Sequence, residues 1–238
     1  MNGAAQRRRK GHDMAAKGAL ISLLGDSITT YEGFNPAFYP VYYEQDVLLA
    51  TGVLDVEDTW WAQVLDELDA ELLVNNSWSG SRVSGSAFPA GCSPERTHSL
   101  HRGELKPERI LIYMGLNDFG MGVTPHSENE DDLFTFYGAY TAMLRQLKDA
   151  YPGAELCCGT LLRSYLQGAE DWVFPERYSS GYDFEEYNRV IRAVCAAEGA
   201  RLCELAPAGE RYETLDSSHP TLRGHKEMAE LWLRALEK

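Results

Sequence analysis

The amino-acid sequence predicts a single α/β domain over residues 19–238, a three-layer α/β/α sandwich around a five-stranded parallel sheet. Short apolar segments alternate five times with segments whose apolar residues recur every three or four positions, the pattern of strands followed by amphipathic helices. The strand segments are apolar on both sides, as expected for a parallel sheet covered by helices on both faces. No repeat, low-complexity segment or linker divides the chain.

The first half of the domain begins with a strand at 19–24 that stops at Gly25-Asp26-Ser27. Residues 31–57 are predicted to be irregular, because Pro36 and Pro40 bar a helix. The elements that follow are a helix capped by Asp58 or Thr59, strands at 72–75 and 110–114, and a long amphipathic helix that ends at Tyr151-Pro152.

The second half is predicted to contain a strand at 155–161, an irregular insert at 163–182, a helix, a strand at 201–205 and a final helix that starts near Thr221. Asp183 and Glu186 form an acidic analogue of a capping box at the start of the first of these helices. Gly199 is expected to end that helix in the left-handed conformation.

Composition and charge exclude several classes of protein. The 238 residues are 44% hydrophobic and 24% charged, which is typical of a soluble globular protein. The formal charge is −14, and residues 1–18, predicted to be a disordered basic tail, carry +4, so the domain itself carries −18. Such an acidic chain repels phosphate backbones, and we expect no nucleic-acid partner.

No stretch approaches the ~18 continuous apolar residues of a membrane span, and the N-terminus has no apolar signal core. We therefore expect a cytoplasmic protein without a membrane partner. The five cysteines have neither disulfide-scaffold nor metal-site spacing, which predicts reduced, buried thiols. His98 and His101 lack a third ligand at suitable spacing, so neither a metal nor another cofactor is expected.

Four chemically distinctive segments follow predicted strands or lie near the C-terminus. Ser27 follows the first strand, Gly80 and Asn117 follow the second and third, and His219 lies three residues after Asp216. Because the carboxyl ends of parallel strands share one edge, the first three should meet there. Asp216 could hold the His219 ring so that it takes a proton from Ser27, while Gly80 and Asn117 offer oxyanion donors.

Each segment also has a purely structural interpretation. Gly-Asp-Ser is most often a turn, Asp-x-x-His is often a local hydrogen bond, Asn117 could be a turn former and Gly80 a plain loop glycine. Their occurrence together, at strand ends that one α/β fold brings together, favours a catalytic site.

These segments resemble the conserved blocks of the GDSL/SGNH hydrolase superfamily, namely Gly25-Asp26-Ser27-Ile28-Thr29, Ser79-Gly80, Gly115-Leu116-Asn117-Asp118 and Asp216-Ser217-Ser218-His219-Pro220. The resemblance implies that Ser27 is the nucleophile, that Gly80 and Asn117 hold the oxyanion, and that Asp216 and His219 are acid and base. It also implies a flavodoxin-like sheet and metal-independent ester hydrolysis.

The sequence departs from the superfamily pattern in two places. Ser77 stands where many members have an earlier glycine, and the stretch between the first two blocks is long, which is similar to a bacterial subgroup.

Aromatic and basic residues are expected to rim the pocket and to contact substrate. The loop after Ser27 carries Tyr31, Phe34, Phe38, Tyr39, Tyr42 and Tyr43, and the insert carries Arg163, Tyr165, Trp172, Arg177 and Tyr178. With Trp78, we single out Arg163 and Trp172 as substrate-binding residues. Such aromatic faces suit a polar, ring-shaped alcohol, although they could instead pack the loop against the sheet.

The sequence thus predicts a serine esterase for small-molecule esters that removes short acyl groups, with acetyl the leading case, from a carbohydrate or similar polar alcohol. A thioesterase, lysophospholipase or acyltransferase would use the same residues, and a silent binding protein of the same fold is the alternative from another class. Oligomeric state is not predicted.

Overall fold

The computed structural model describes residues 18–129, 131–177 and 181–237. Within these ranges the strands are β1 (Leu20–Gly25), β2 (Glu71–Ser77), β3 (Arg109–Tyr113), β4 (Glu155–Gly159), β5 (Arg163–Leu166), β6 (Arg201–Cys203) and β7 (Arg211–Thr214). The helices are α1 (Asp46–Thr51), α2 (Trp60–Glu67), α3 (Pro94–Thr97), α4 (Leu116–Met121), α5 (Phe136–Ala150), α6 (Phe184–Glu198) and α7 (Leu222–Leu236).

The central sheet has five parallel strands in the order β2-β1-β3-β4-β6, which confirms the predicted fold class and its flavodoxin-like sheet. Helices cover both faces of the sheet, and the adjacent residues Cys158 and Gly159 of β4 show this because they point to opposite faces. Cys158 contacts Tyr140 of α5 and Cys195 of α6. A Cβ added to Gly159 would lie 2.6 Å from the ring of Trp232 of α7, on the opposite face.

The predicted helix ends are also confirmed where local chemistry sets them. The Thr59 hydroxyl accepts the N–H of Ala62 at 3.3 Å and caps α2. The Glu186 carboxylate accepts the N–H of Asp183 at 3.3 Å at the start of α6, and Gly199 closes that helix with φ of 63°.

The predicted irregular segment at 31–57 is wrong in part, because it contains the short helix α1 and a 3-10 turn at Val56–Asp58. The two prolines bar a helix only up to position 40, and Val47 and Leu48 of α1 pack against the core. The long amphipathic helix predicted to end at Tyr151-Pro152 is confirmed as α5, which runs from Phe136 to Ala150. The short helix α4, which follows β3, was not predicted.

The insert at 163–182, predicted to be irregular, begins with a strand. β5 pairs in parallel with β7 as a separate two-stranded sheet, with Arg163 opposite Arg211. Each strand has four residues, and the two lie far apart in the sequence, so no local pattern reveals the pairing.

The five cysteines are free and buried. No helix in the described ranges is long and apolar enough to cross a bilayer. Residues 1–17, which include almost all of the predicted basic tail, and Tyr178 lie outside the described residues.

Candidate active site

Ser27 lies in a tight turn directly after β1. The Asp26 carboxylate accepts the N–H of Ile28 at 3.1 Å and caps the 3-10 turn that contains Ser27. A Cβ on Gly25 would approach the Thr29 hydroxyl to 2.6 Å, so the turn requires glycine there. The turn leaves Ser27 7% exposed at the carboxyl edge of the sheet, as predicted.

Ser27, His219 and Asp216 form a continuous chain of contacts. Ser27 Oγ lies 2.9 Å from His219 Nε2, and His219 Nδ1 lies 2.8 Å from Asp216 Oδ2. An ionised carboxylate only accepts hydrogen bonds, so Nδ1 carries the proton, and Nε2 of the neutral ring is free to accept the Ser27 hydroxyl proton. The arrangement can therefore activate the serine for nucleophilic attack.

The turn at Asp216 is built to keep its carboxylate ionised. Burial acts to raise the pKa of Asp216, but hydrogen bonds from the His219 ring and from the backbone N–H groups of His219 and Ser218 hold it well below its usual range. Oδ1 accepts those two N–H groups at 2.9 and 3.1 Å. Ser217 takes a positive φ of 75°, which lets the turn fold back on the carboxylate.

Tyr42 covers the histidine, a contact that the sequence does not predict. Its ring stacks on the His219 ring with the centroids 3.4 Å apart and an angle of 8° between the planes. Its hydroxyl donates to Asp216 Oδ2 at 3.1 Å, the same oxygen that faces His219 Nδ1. Burial and the neighbouring carboxylate raise the pKa of Tyr42, so the hydroxyl stays a donor.

The second and third predicted blocks meet beside Ser27. Asn117, in the first turn of α4, donates from Nδ2 to the Ser81 carbonyl at 3.0 Å, and this Nδ2 lies 3.5 Å from Asp26 Oδ2. Gly80 occupies the exposed turn before Ser81 with φ of 79°. The hydrogen bond from Asn117 thus ties the Gly80 turn to α4.

A buried arginine, also missed by sequence reasoning, fixes the ends of β1 and β2. Arg96 is fully buried and donates to the carbonyl oxygens of Gly25, Asn76 and Pro89 at 2.8, 3.0 and 2.7 Å, and to Asn76 Oδ1 at 2.6 Å. Burial lowers the pKa of Arg96 to about 10, so it remains a cation at neutral pH. Nothing in the local sequence marks this arginine as buried.

A cavity of about 180 Å³ opens beside the serine. Its wall consists of Asp26, Ser27, Ile28, Leu116, Asn117, Gly120, Met121, Phe174, Ser217, Ser218 and His219. The structure therefore brings Ser27, Asn117 and His219 to one cavity, with Asp216 behind the histidine. Gly80 lies on the adjoining turn and is not part of this wall.

The three residues predicted to bind substrate do not line this cavity, because other partners hold them. Arg163 forms a bidentate ion pair with Glu176 and lies over the Phe184 ring. Trp78 packs edge-on against Tyr39 and Phe88. Trp172 packs edge-on against Phe174 at 6.3 Å, so the insert reaches the cavity through Phe174 instead.

Among the described residues, no group of three or more histidine, cysteine, aspartate or glutamate side chains is arranged to hold a metal ion.

Residues 19–168 match the GDSL-like Lipase/Acylhydrolase family, and the chain belongs to this family of acylhydrolases. The match includes Ser27, Gly80 and Asn117 and ends before Asp216 and His219. No curated protein matches the chain.

Several solved structures share the fold. A GDSL-like protein from Bacteroides ovatus has a TM-score of 0.68 and 25% identity, covering 92% of this chain and 98% of its own. A GDSL-like protein from Bacteroides uniformis has a TM-score of 0.71 and 24% identity, and the match covers 92% of this chain and 96% of that protein. A carbohydrate esterase family 2 enzyme from Corynascus thermopiles, with a carbohydrate binding domain, has a TM-score of 0.59 and 20% identity, covering 96% and 69%.

Proposed function

We propose that this protein is a serine esterase that hydrolyses a short-acyl ester of a polar alcohol. The observation that carries the proposal is the chain of contacts from Ser27 Oγ through the His219 ring to Asp216, at 2.9 and 2.8 Å, at the edge of a cavity. Membership of an acylhydrolase family supports ester substrates in general.

In the proposed reaction, Ser27 Oγ attacks the ester carbonyl carbon while its proton passes to His219 Nε2. Asn117 Nδ2 and the backbone N–H groups of Gly80 and Ser27 stabilise the oxyanion. The C–O bond to the alcohol breaks, and His219 gives its proton to the leaving oxygen. Water then attacks the acyl enzyme with His219 as base, which releases the acid and restores Ser27.

The cavity supports a short acyl group. At about 180 Å³, this cavity is smaller than the ~300–1,000 Å³ typical of ligand sites, which favours a small substrate. Ser217 and Ser218 place polar groups beside His219, and this supports a polar alcohol, with an acetylated carbohydrate the leading example. The polar alcohol is proposed because of these serine groups. The similarity to a carbohydrate esterase extends to the fold alone and does not support a carbohydrate substrate.

A hydrolysis screen tests the proposal. The purified protein is assayed on aryl esters with acyl chains of two to twelve carbons and on acetylated sugars, with Ser27→Ala as the inactive variant and the exposed Ser86→Ala as the matched control. We expect kcat/KM to be highest for short chains, turnover of at least one acetylated sugar, and loss of activity in Ser27→Ala alone. A kcat/KM that climbs up to twelve carbons would contradict the short-acyl assignment. Turnover of thioesters or acyl transfer in preference to hydrolysis would favour a thioesterase or a transferase.

A further inference from the structure

His219 and Asp216 lie on a surface turn outside the helices and strands. The side chain of Asp216 is 43% exposed and that of His219 is 17% exposed. A pair this accessible to water gains little from its own attraction, because solvent screens it. The contact between the two residues therefore does not by itself fix the imidazole ring in line with Ser27.

Hydroxyl groups from three other segments hold the backbone of this turn. The hydrogen bonds run, at 2.8 Å each, from Ser164, Tyr212 and Tyr43 to the carbonyl oxygens of Ser217, Ser218 and Pro220, respectively. Tyr43 and Tyr212 are fully buried, so their bonds lie in a medium of low dielectric constant, where a hydrogen bond is stronger than in water. These bonds fix the path of the chain, but they are made by the backbone and not by the imidazole ring or the carboxylate.

Tyr42 contacts both of those groups. Its ring covers one face of the imidazole, with 3.4 Å between the centroids, and its hydroxyl donates to Asp216 Oδ2 at 3.1 Å. Oδ2 also faces His219 Nδ1, and Oδ1 accepts two backbone N–H groups, so the carboxylate uses all of its roughly four acceptor sites. The carboxylate therefore cannot turn without breaking a hydrogen bond.

Tyr42 is also tied to the turn that carries the nucleophile. Its backbone N–H donates to Thr30 Oγ1 at 2.9 Å, and the Thr30 hydroxyl donates to the carbonyl oxygen of Ser27 at 2.8 Å. Thr30 is fully buried. Ser27 and His219 lie 192 residues apart in the chain, and Tyr42 connects the two turns on which they lie.

We infer that Tyr42 is a positioning residue that keeps the His219 ring in line between Asp216 and Ser27. This inference rests on the proposed function, because it concerns the same proton transfer from Ser27. Stacking opposes rotation of the ring out of this line, and the hydroxyl opposes rotation of the carboxylate behind it. A small misplacement of a catalytic base slows the reaction steeply. The inference also gives a role to part of the long stretch between the first two conserved blocks.

The test compares Tyr42→Phe, which keeps the ring and removes the hydroxyl, with Tyr42→Leu, which removes both contacts. Tyr151→Phe is the matched control, since it also removes a tyrosine hydroxyl bonded to the backbone at 2.8 Å, at a position outside the cavity wall. Hydrolysis of an aryl acetate gives kcat and KM, and urea unfolding checks the fold. We expect kcat to fall several-fold in Tyr42→Phe and by roughly 10–10² in Tyr42→Leu, with little change in KM, and to stay unchanged in Tyr151→Phe.

A second set of variants separates positioning from a merely structural role. Each Tyr42 variant is combined with His219→Ala, and its residual hydrolysis is compared with that of His219→Ala alone. A residue that acts only through His219 has no effect once the ring is gone, so the residual rate should not fall further. Should Tyr42→Leu fail to fold, Tyr42→Phe gives the same comparison, since it removes a single oxygen atom.

An equal loss of rate with and without His219, or an unchanged kcat in folded Tyr42 variants, would overturn the inference. A kcat that falls only in proportion to the loss of folded protein would overturn it as well. All three outcomes leave Ser27-dependent hydrolysis intact. If wild type hydrolyses no ester, or if Ser27→Ala is as active as wild type, the proposed function itself fails.

Discussion

Replacement of Asp26 by Asn should change the pH dependence of stability in a direction that the structure fixes. Asp26 is 1% exposed, and burial raises the pKa of its carboxyl from the ordinary 3.8 to about 6, against the opposing effect of the Ile28 N–H. Between these values the folded protein keeps a proton that the unfolded chain has lost. The free energy of unfolding of the wild type should therefore fall as the pH rises through this window.

The size of the effect follows from the same two values. At ~1.4 kcal/mol for each pH unit, the interval from 3.8 to about 6 corresponds to about 3 kcal/mol of stability lost by pH 7.5. Asn keeps a side-chain oxygen that can accept the Ile28 N–H, but it carries no charge. The variant should therefore not lose this stability as the pH rises. The difference in free energy of unfolding between variant and wild type should thus shift in favour of Asp26→Asn by up to about 3 kcal/mol between pH 4 and pH 7.5.

Urea unfolding followed by tryptophan fluorescence at both pH values measures this shift. The comparison across pH cancels any constant effect of the new amide, including its contact with Asn117. Asp149→Asn, at an exposed position in α5, is the matched control and should show no such shift. Parallel pH dependence of wild type and Asp26→Asn would refute the reasoning.

Three further substitutions test other contacts of the site. Asn117→Ala should lower kcat by roughly 10²–10³ with a smaller effect on KM, because the oxyanion would lose one hydrogen-bond donor. An unchanged kcat in steady-state assays would show that Asn117 only forms the turn. Tyr42→Phe keeps the stacked ring but removes a hydrogen bond that helps to hold the Asp216 carboxylate against His219, so kcat should fall several-fold with little change in KM. An unchanged kcat in steady-state assays would contradict this. Arg96→Met removes the hydrogen bonds to the carbonyl oxygens of Gly25, Asn76 and Pro89 and should lower the free energy of unfolding by about 3 kcal/mol, whereas a wild-type urea midpoint would show that these bonds contribute little.

The sequence predicted the features that depend on local pattern. Apolar runs located the five strands of the sheet, and the carboxyl-edge rule brought Ser27 and Asn117 together correctly. The Asp-x-x-His spacing predicted the turn that places Asp216 against the His219 ring, because that contact needs only four residues of chain.

Contacts between distant segments were not predictable in this way. The stacking of Tyr42 on His219 depends on how the loop after Ser27 returns across the site, and no periodicity records that path. Arg163 was expected at the pocket because it is basic and close to a strand end. In the structure Arg163 forms an ion pair with Glu176 and does not line the cavity. Phe174, and not Trp172, is the residue of the insert that lines it.

The central claim, that His219 activates Ser27 as a nucleophile, is tested most directly by labelling with a fluorophosphonate and mapping the adduct by mass spectrometry. We predict a single adduct on Ser27 in the wild type, none in Ser27→Ala, and strongly slowed labelling in His219→Ala with the fold retained. An unlabelled wild-type protein, or an adduct on another residue, would contradict the assignment.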